Sequence, residues 1–233
     1  MNRPWGCQRT HAPQVFGAPA FSIDHRGKRV IYDVTIITVK SGRHGSALDK
    51  LKDTLPAASA GGRLLACWFS DLGALNRILV LRRYDDAARM QADRSAILES
   101  GDPLGLGDLT VGMTMDSYVP LPVRETIETG ALGPFYEVRT YEFKPGGLAP
   151  TIALWNEALP ARAAISPVLA AMYSVTGAAP RFIHIWPYRT LDERQRLRAH
   201  AIDSGVWPPP GGPDKFLTQQ TDIYLPAPFS PLR

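Results

Sequence analysis

Hydrophobic and polar positions along this chain follow two different periods, and the order in which the periods alternate predicts its elements. From Ile31 to Lys40 β-branched residues dominate, and the run stops at Ser41-Gly42, as a strand does where it enters a turn. Leu48, Leu51 and Leu55 then fall at helical spacing across 44–56, where Pro56 predicts an end or a kink. Two apolar runs, 64–71 and 75–83, flank Gly73 and read as a hairpin. The charged, alanine-rich stretch 85–99 reads as a second helix and 111–119 as a last strand. The same series then returns. A strand opens at 135, a helix carries Ile152, Trp155 and Leu159 before Pro160, and 168–175 and 180–187 flank Gly177. A charged helix over 190–203 and a strand over 218–225 complete it.

The recurrence is a sequence repeat as well as a pattern. IYDVTIITVKSG at 31–42 aligns with FYEVRTYEFKPG at 135–146, an offset of 104. Tyr32, Val34, Lys40, Gly42, Gly73, Arg77, Tyr84 and Arg94 meet identical residues at 136, 138, 144, 146, 177, 181, 188 and 198. Asp116, Tyr118 and Pro120 meet Asp222, Tyr224 and Pro226 at an offset of 106, so two extra residues lie in the loop near Pro208–Gly212. Each half has the order βαββαβ, the ferredoxin-like motif, with both helices on one face of a four-stranded antiparallel sheet. The bare face must be covered, and a second copy supplies the cover. The predicted fold is therefore α+β: two tandem ferredoxin-like repeats packed sheet to sheet as an α+β barrel. The expected organisation is a basic tail over 1–29, a first, divergent repeat over 30–122, a linker over 123–133 and a second repeat over 134–230.

Strand alternation divides the side chains between two faces. With Val34, Ile36, Leu79, Leu81, Ile183 and Ile185 assigned to the helices, Asp33, Thr35, Ile37, Val80 and Arg82 face the barrel interior in the first half. Glu137, Arg139, Tyr141, His184 and Trp186 do so in the second. Titratable side chains concentrate in the second half, as expected of one working site with a supporting copy. His184 is the candidate catalytic base, and Glu137, Arg139, Tyr141, Trp186 and Arg82 are the candidate ligand-binding residues. Each has a plainer reading beside it. Glu137 and Arg139 suit an ion pair on a wet sheet face. His184 suits a hydrogen-bonded core position, Trp186 and Tyr141 suit packing, and Trp207 suits a loop anchor.

Composition narrows the partners. The 233 residues carry 26 Lys and Arg against 22 Asp and Glu, a net +4. The first 29 residues hold five of those bases and one acid, so the remainder is near neutral and argues against a nucleic-acid partner. Those residues show no apolar stretch of a secretory signal, and Pro4, Pro13 and Pro19 disfavour the amphipathic helix of a transit peptide. Two cysteines, Cys7 and Cys67, exclude a disulfide framework, and with the missing signal they point to the cytoplasm. No apolar run reaches the ~18 residues of a membrane span. Dinucleotide, Walker-type, H-E-x-x-H and G-x-S-x-G motifs are all missing, and the five histidines lack the spacing of a metal site. No cofactor and no metal are expected. Residual strand edges would suit a homo-oligomer.

Two stretches carry a family resemblance. FYEVRTYEFKPGGLAPTIALW at 135–155 and RFIHIWPYRTLDERQRLRAH at 181–200 resemble the NIPSNAP domain, the second through its His-x-Trp-x-Tyr run and the basic helix after it. The first half matches only through the repeat, with Val80, Arg82 and Tyr84 where His184, Trp186 and Tyr188 stand. The resemblance implies the α+β barrel. It implies little about activity, because that fold also serves cofactor-free monooxygenases and haem proteins. Three functions follow from the residues. One is a binding module for a small apolar or acidic ligand, with Arg139 on the acid and Trp186 and Tyr141 as walls. Another is a cofactor-independent, monooxygenase-like or isomerase-like enzyme, with His184 as base and Arg139 or Tyr141 on the developing oxyanion. The third is an interaction protein with a filled core.

Overall fold

The computed structural model describes residues 30–178 and 180–233, so the tail expected over 1–29 lies outside the described residues. The first half runs β1 (Ile31–Val39), α1 (His44–Ala58), β2 (Arg63–Leu72), β3 (Arg77–Tyr84), α2 (Ala87–Glu99) and β4 (Thr110–Pro120). The second runs β5 (Phe135–Phe143), α3 (Leu148–Ile165), β6 (Ala170–Ser174), β7 (Arg181–Tyr188), α4 (Leu191–Asp203) and β8 (Phe216–Pro226). All eight strands pair antiparallel in one closed barrel, in the order β1-β3-β2-β8-β5-β7-β6-β4. The two halves meet at two seams, β2 on β8 and β4 on β6. Closure leaves no open sheet edge in the barrel, which removes the ground on which a homo-oligomer was expected.

Local chemistry explains the element ends. Asp86 caps α2 by accepting from the Ala88 N–H at 2.8 Å. Thr190 caps α4 by accepting from the Glu193 N–H at 2.9 Å, while the Glu193 carboxylate accepts from the Arg189 N–H at 2.7 Å. The prolines do not end their helices: α1 continues past Pro56 to Ala58, and α3 past Pro160 to Ile165. A proline forfeits one N–H, and burial of Leu51 and Leu55, and of Trp155, Leu159 and Arg162, holds the remaining turns in place.

The two faces of the sheet are the reverse of the sequence assignment. Val34, Leu79, Leu81, Val138, Ile183 and Ile185 fill the barrel interior together with Tyr32, Tyr118, Tyr136 and Tyr224, and Ile36 packs against them. Trp68 of the first half stacks on Tyr136 of the second at 4.1 Å between ring centroids. The alternate residues face the helices. Ile37 and Val80 pack with Leu48, Leu51 and Leu55 of α1, and Tyr141, Phe182 and Trp186 pack with Trp155 and Leu159 of α3. Both faces of a closed barrel are covered, so both sets are buried and alternation alone cannot orient them. Charge decides. Asp33 and Glu137 need buried counter-ions, and arginines of α2 and α4 supply them.

Pseudo-symmetric contacts reinforce the seams. The hairpin turn at Gly177 lies against Asp116 of β4, whose carboxylate pairs with Arg181 at 2.7 Å. The turn at Gly73 lies against Asp222 of β8, which accepts from the Ala74 N–H at 2.8 Å. Gly73 and Gly177 have positive φ, +96° and +69°, where a side chain is strained, and an added Cβ would run into the facing carboxylate. A cavity of about 560 Å³ opens inside the barrel, lined by these aspartates, Arg77, Arg181 and aliphatic residues of both halves. None of the sequence-predicted site residues borders it.

Candidate functional site

The site lies outside the barrel wall, between the second half's strands and its helices. On β5 the period of two sends Glu137, Arg139 and Tyr141 to the helix side, and the register sets Arg139 opposite His184 and Glu137 opposite Trp186 on β7. On α3, Trp155 and Arg162 are seven residues apart and therefore share a face. On α4, Arg194, Arg198 and Ile202 form a stripe of spacing four. The connection after α4 closes the mouth with Trp207, Pro208, Pro209, Gly212 and Pro213. The pocket, partly open to solvent, holds about 260 Å³ and is bordered by Arg139, Tyr141, Trp155, Arg162, His184 and Arg198.

Of the sequence-predicted residues, the structure brings Arg139, Tyr141 and His184 to this pocket. Glu137 lies beneath it, fully buried, accepting from Arg194 Nη2 at 2.7 Å with Arg139 and Arg198 at 3.5 and 3.7 Å. Trp186 stands behind His184. Arg82 belongs to the other half, where Asp33 accepts from its Nη2 at 2.7 Å and from Arg94 Nε at 2.6 Å. That triad is the first-half counterpart of the Glu137 cluster. Trp207 is more than a loop anchor: it borders the pocket and meets Trp155 edge to face at 4.7 Å. Sequence reasoning missed Arg162 and Arg198. The identity of Arg94 and Arg198 across the repeat was a signal for the second, whereas Arg162 replaces Ala58 and left none.

Hydrogen bonding settles the state of His184. The Trp186 indole N–H donates to His184 Nδ1 at 2.6 Å. An indole only donates, so Nδ1 must be the bare nitrogen and a neutral ring carries its proton on Nε2. Burial holds the imidazole pKa well below its usual 6.5, and the charges of Arg139, Arg198 and Arg162 push the same way. Nε2 is buried and has no hydrogen-bond partner, as are Arg139 Nε and Arg162 Nε and Nη1. The Arg162 guanidinium lies over the Trp186 ring at 4.5 Å. Burial lowers the pKa of both Arg162 and Arg198, and Arg139 beside Arg198 adds to its shift.

At the matching place the first half has a shallower depression of about 240 Å³ between α1, α2 and Leu104–Gly105, and its strand residues Thr35, Ile37 and Val80 do not border it. Its connection from α2 to β4 spans 100–109, two residues shorter than 204–215 in the second half. There Leu104 and Leu106 are buried in the cluster of Ile37, Leu51 and Val80 and cover those side chains. Among the described residues no cluster of His, Cys, Asp and Glu could hold a metal ion, and no helix is long and apolar enough to cross a membrane.

Known proteins share this architecture. A candidate monooxygenase from Fusobacterium nucleatum superposes with a TM-score of 0.61 at 10% identity, covering 85% of this chain and 93% of its own. An anthrone oxidase-like protein gives 0.57 at 11%, covering 85% and 92%. At these identities the likeness is one of fold. A NIPSNAP family protein from Agrobacterium tumefaciens is 26% identical with a TM-score of 0.41, covering 42% of this chain and 98% of its own. The NipSnap homolog of Dictyostelium discoideum is 23% identical over 148 residues, which span 63% of this chain and 66% of that relative, just under two thirds of its length. The NIPSNAP family model matches residues 32–103 and 136–231, most of both halves, and on that match the chain belongs to the NIPSNAP family.

Proposed function

We propose that this NIPSNAP-domain protein is a small-ligand-binding module and that the pocket between β5, β7, α3 and α4 is its site. One observation carries the reading. Arg139, Arg162, Arg198 and His184 border one pocket together with the aromatic walls of Tyr141, Trp155, Trp207 and Phe216. In the first half Leu104 and Leu106 occupy much of the corresponding space and no such group of cations is assembled there. A pocket of about 260 Å³ suits a ligand of one or two rings.

The enzyme reading with His184 as general base has less support. A base needs a free lone pair, and the only unprotonated ring nitrogen already accepts from Trp186. His184 fits better as a hydrogen-bond donor to a ligand oxygen. The cytoplasm is the proposed compartment, supported by the two-cysteine composition.

Native mass spectrometry of the full chain tests the binding reading, together with tryptophan fluorescence during titration with small aromatic compounds. A retained or added small molecule should quench the Trp155 and Trp207 emission, and Arg139→Gln should weaken it. Emission that no compound changes, with no bound mass retained, would overturn the proposal.

A further inference from the structure

We infer that the pocket is an anion site whose ligand is a small aromatic carboxylate, bound through Arg139, Arg162, Arg198 and the Nε2–H of His184. This rests on the binding role proposed above and names the class of ligand.

The argument begins with charge. Arg139, Arg162 and Arg198 border the pocket and Arg194 stands beside them, while Glu137 is their single close carboxylate. No acidic residue borders the pocket. Arg162 is buried and Arg139, Arg194 and Arg198 are partly buried, so the cluster favours an added anion in the pocket. The first half shows that the fold does not demand the excess. There Asp33 accepts from both arginines near it. At the positions of Arg139, Arg162, His184 and Arg194 the first half has Thr35, Ala58, Val80 and Met90. All four donors are present in one half only, three of them on the pocket wall.

The unpartnered atoms point the same way. Arg139 Nε, Arg162 Nε and Nη1 and His184 Nε2 make no hydrogen bond, although the Tyr141 and Tyr188 hydroxyls interact with Arg139 and Arg162. Glu137 Oε2 is also without a partner, but it belongs to the carboxylate that Arg194, Arg139 and Arg198 approach through Oε1. The remaining walls are mostly apolar: Tyr141, Trp155, Ile202, Trp207 and Phe216, with prolines 208, 209 and 213 at the mouth, and Gln219 is the one further polar side chain. Such walls require a flat apolar body, and its polar end must accept several N–H groups at once. A carboxylate meets that demand with one charge and two oxygens. A free phosphate would satisfy the donors but leave the aromatic walls uncovered.

The test titrates the full-length chain with 2-naphthoate, with its neutral isostere 2-naphthamide, and with inorganic phosphate, by calorimetry. The acid should bind about tenfold or more tightly than the amide, the difference that one charge-assisted contact supplies. Arg139→Gln should remove about that factor for the acid and weaken the amide by clearly less. Arg198→Gln provides the same test should Arg139→Gln fail to fold, with circular dichroism as the check. Equal binding of acid and amide would overturn the anion site while leaving a ligand site standing. Phosphate binding as tightly as 2-naphthoate would overturn the aromatic body. Absence of binding by all three at millimolar concentration would overturn both the anion site and the binding role.

Discussion

A neutral imidazole among guanidiniums is the state that His184 keeps while folded, and this makes stability depend on pH. Its folded pKa lies well below 6.5, so between those two values the unfolded chain binds a proton that the folded chain refuses. The contribution of His184 is therefore complete above about pH 6.5 and is lost as pH falls through that window toward the folded pKa. Urea midpoints measured from pH 8 down to pH 5 should fall more steeply in the wild type than in His184→Gln. Identical slopes would show that the ring titrates normally in the folded chain. At this scale much of the site was legible. Glu137, Arg139, Tyr141, His184 and Trp186 all belong to one cluster, because residues that alternate on adjacent strands must share a face. Which face they share was not legible, because the counter-charges sit on helices distant in sequence. Arg162 escaped notice since a buried arginine on an alanine-rich helix resembles an exposed one until the packing is known.

The decisive elements are the two connections between the last helix and last strand of each half. Over 100–109 the backbone turns Leu104 inward at a positive φ of 62°, unusual for a side-chain-bearing residue, and buries it beneath α1 and α2. Over 204–215 the corresponding segment holds five prolines and glycines between Pro208 and Gly212, and it stands as a rim. The two-residue length difference was visible in the change of offset from 104 to 106. Its meaning was not, because length says nothing about which side chain turns inward. Leu104→Ala should cost about 2–5 kcal/mol, the usual penalty for removing a buried leucine that neighbours cannot replace. It should also open a cavity in the first half. Chemical denaturation measures the first outcome, and binding of a small apolar probe to the variant measures the second. A loss below about 0.5 kcal/mol would show that Leu104 does not plug that volume.

For the whole molecule, the seams decide how stability is shared. The interior cluster draws on both halves, and each hairpin glycine leans on an aspartate from the opposite half. Far-UV circular dichroism should therefore report one unfolding transition that coincides with tryptophan emission, most of which arises in the second half. Gly73→Ala or Gly177→Ala should lower that shared midpoint, since the added methyl meets strain and a carboxylate together. Two separate transitions would show that the halves fold independently. The barrel itself was legible from the repeat, because two four-stranded sheets with bare faces have few ways to cover each other. The one-sided placement of the pocket has a final consequence for stoichiometry. A ligand that enters between α3 and α4 should saturate at one equivalent per chain, along a simple hyperbola, because the first half carries Thr35, Ile37, Leu51, Ala58 and Val80 where Arg139, Tyr141, Trp155, Arg162 and His184 border the pocket.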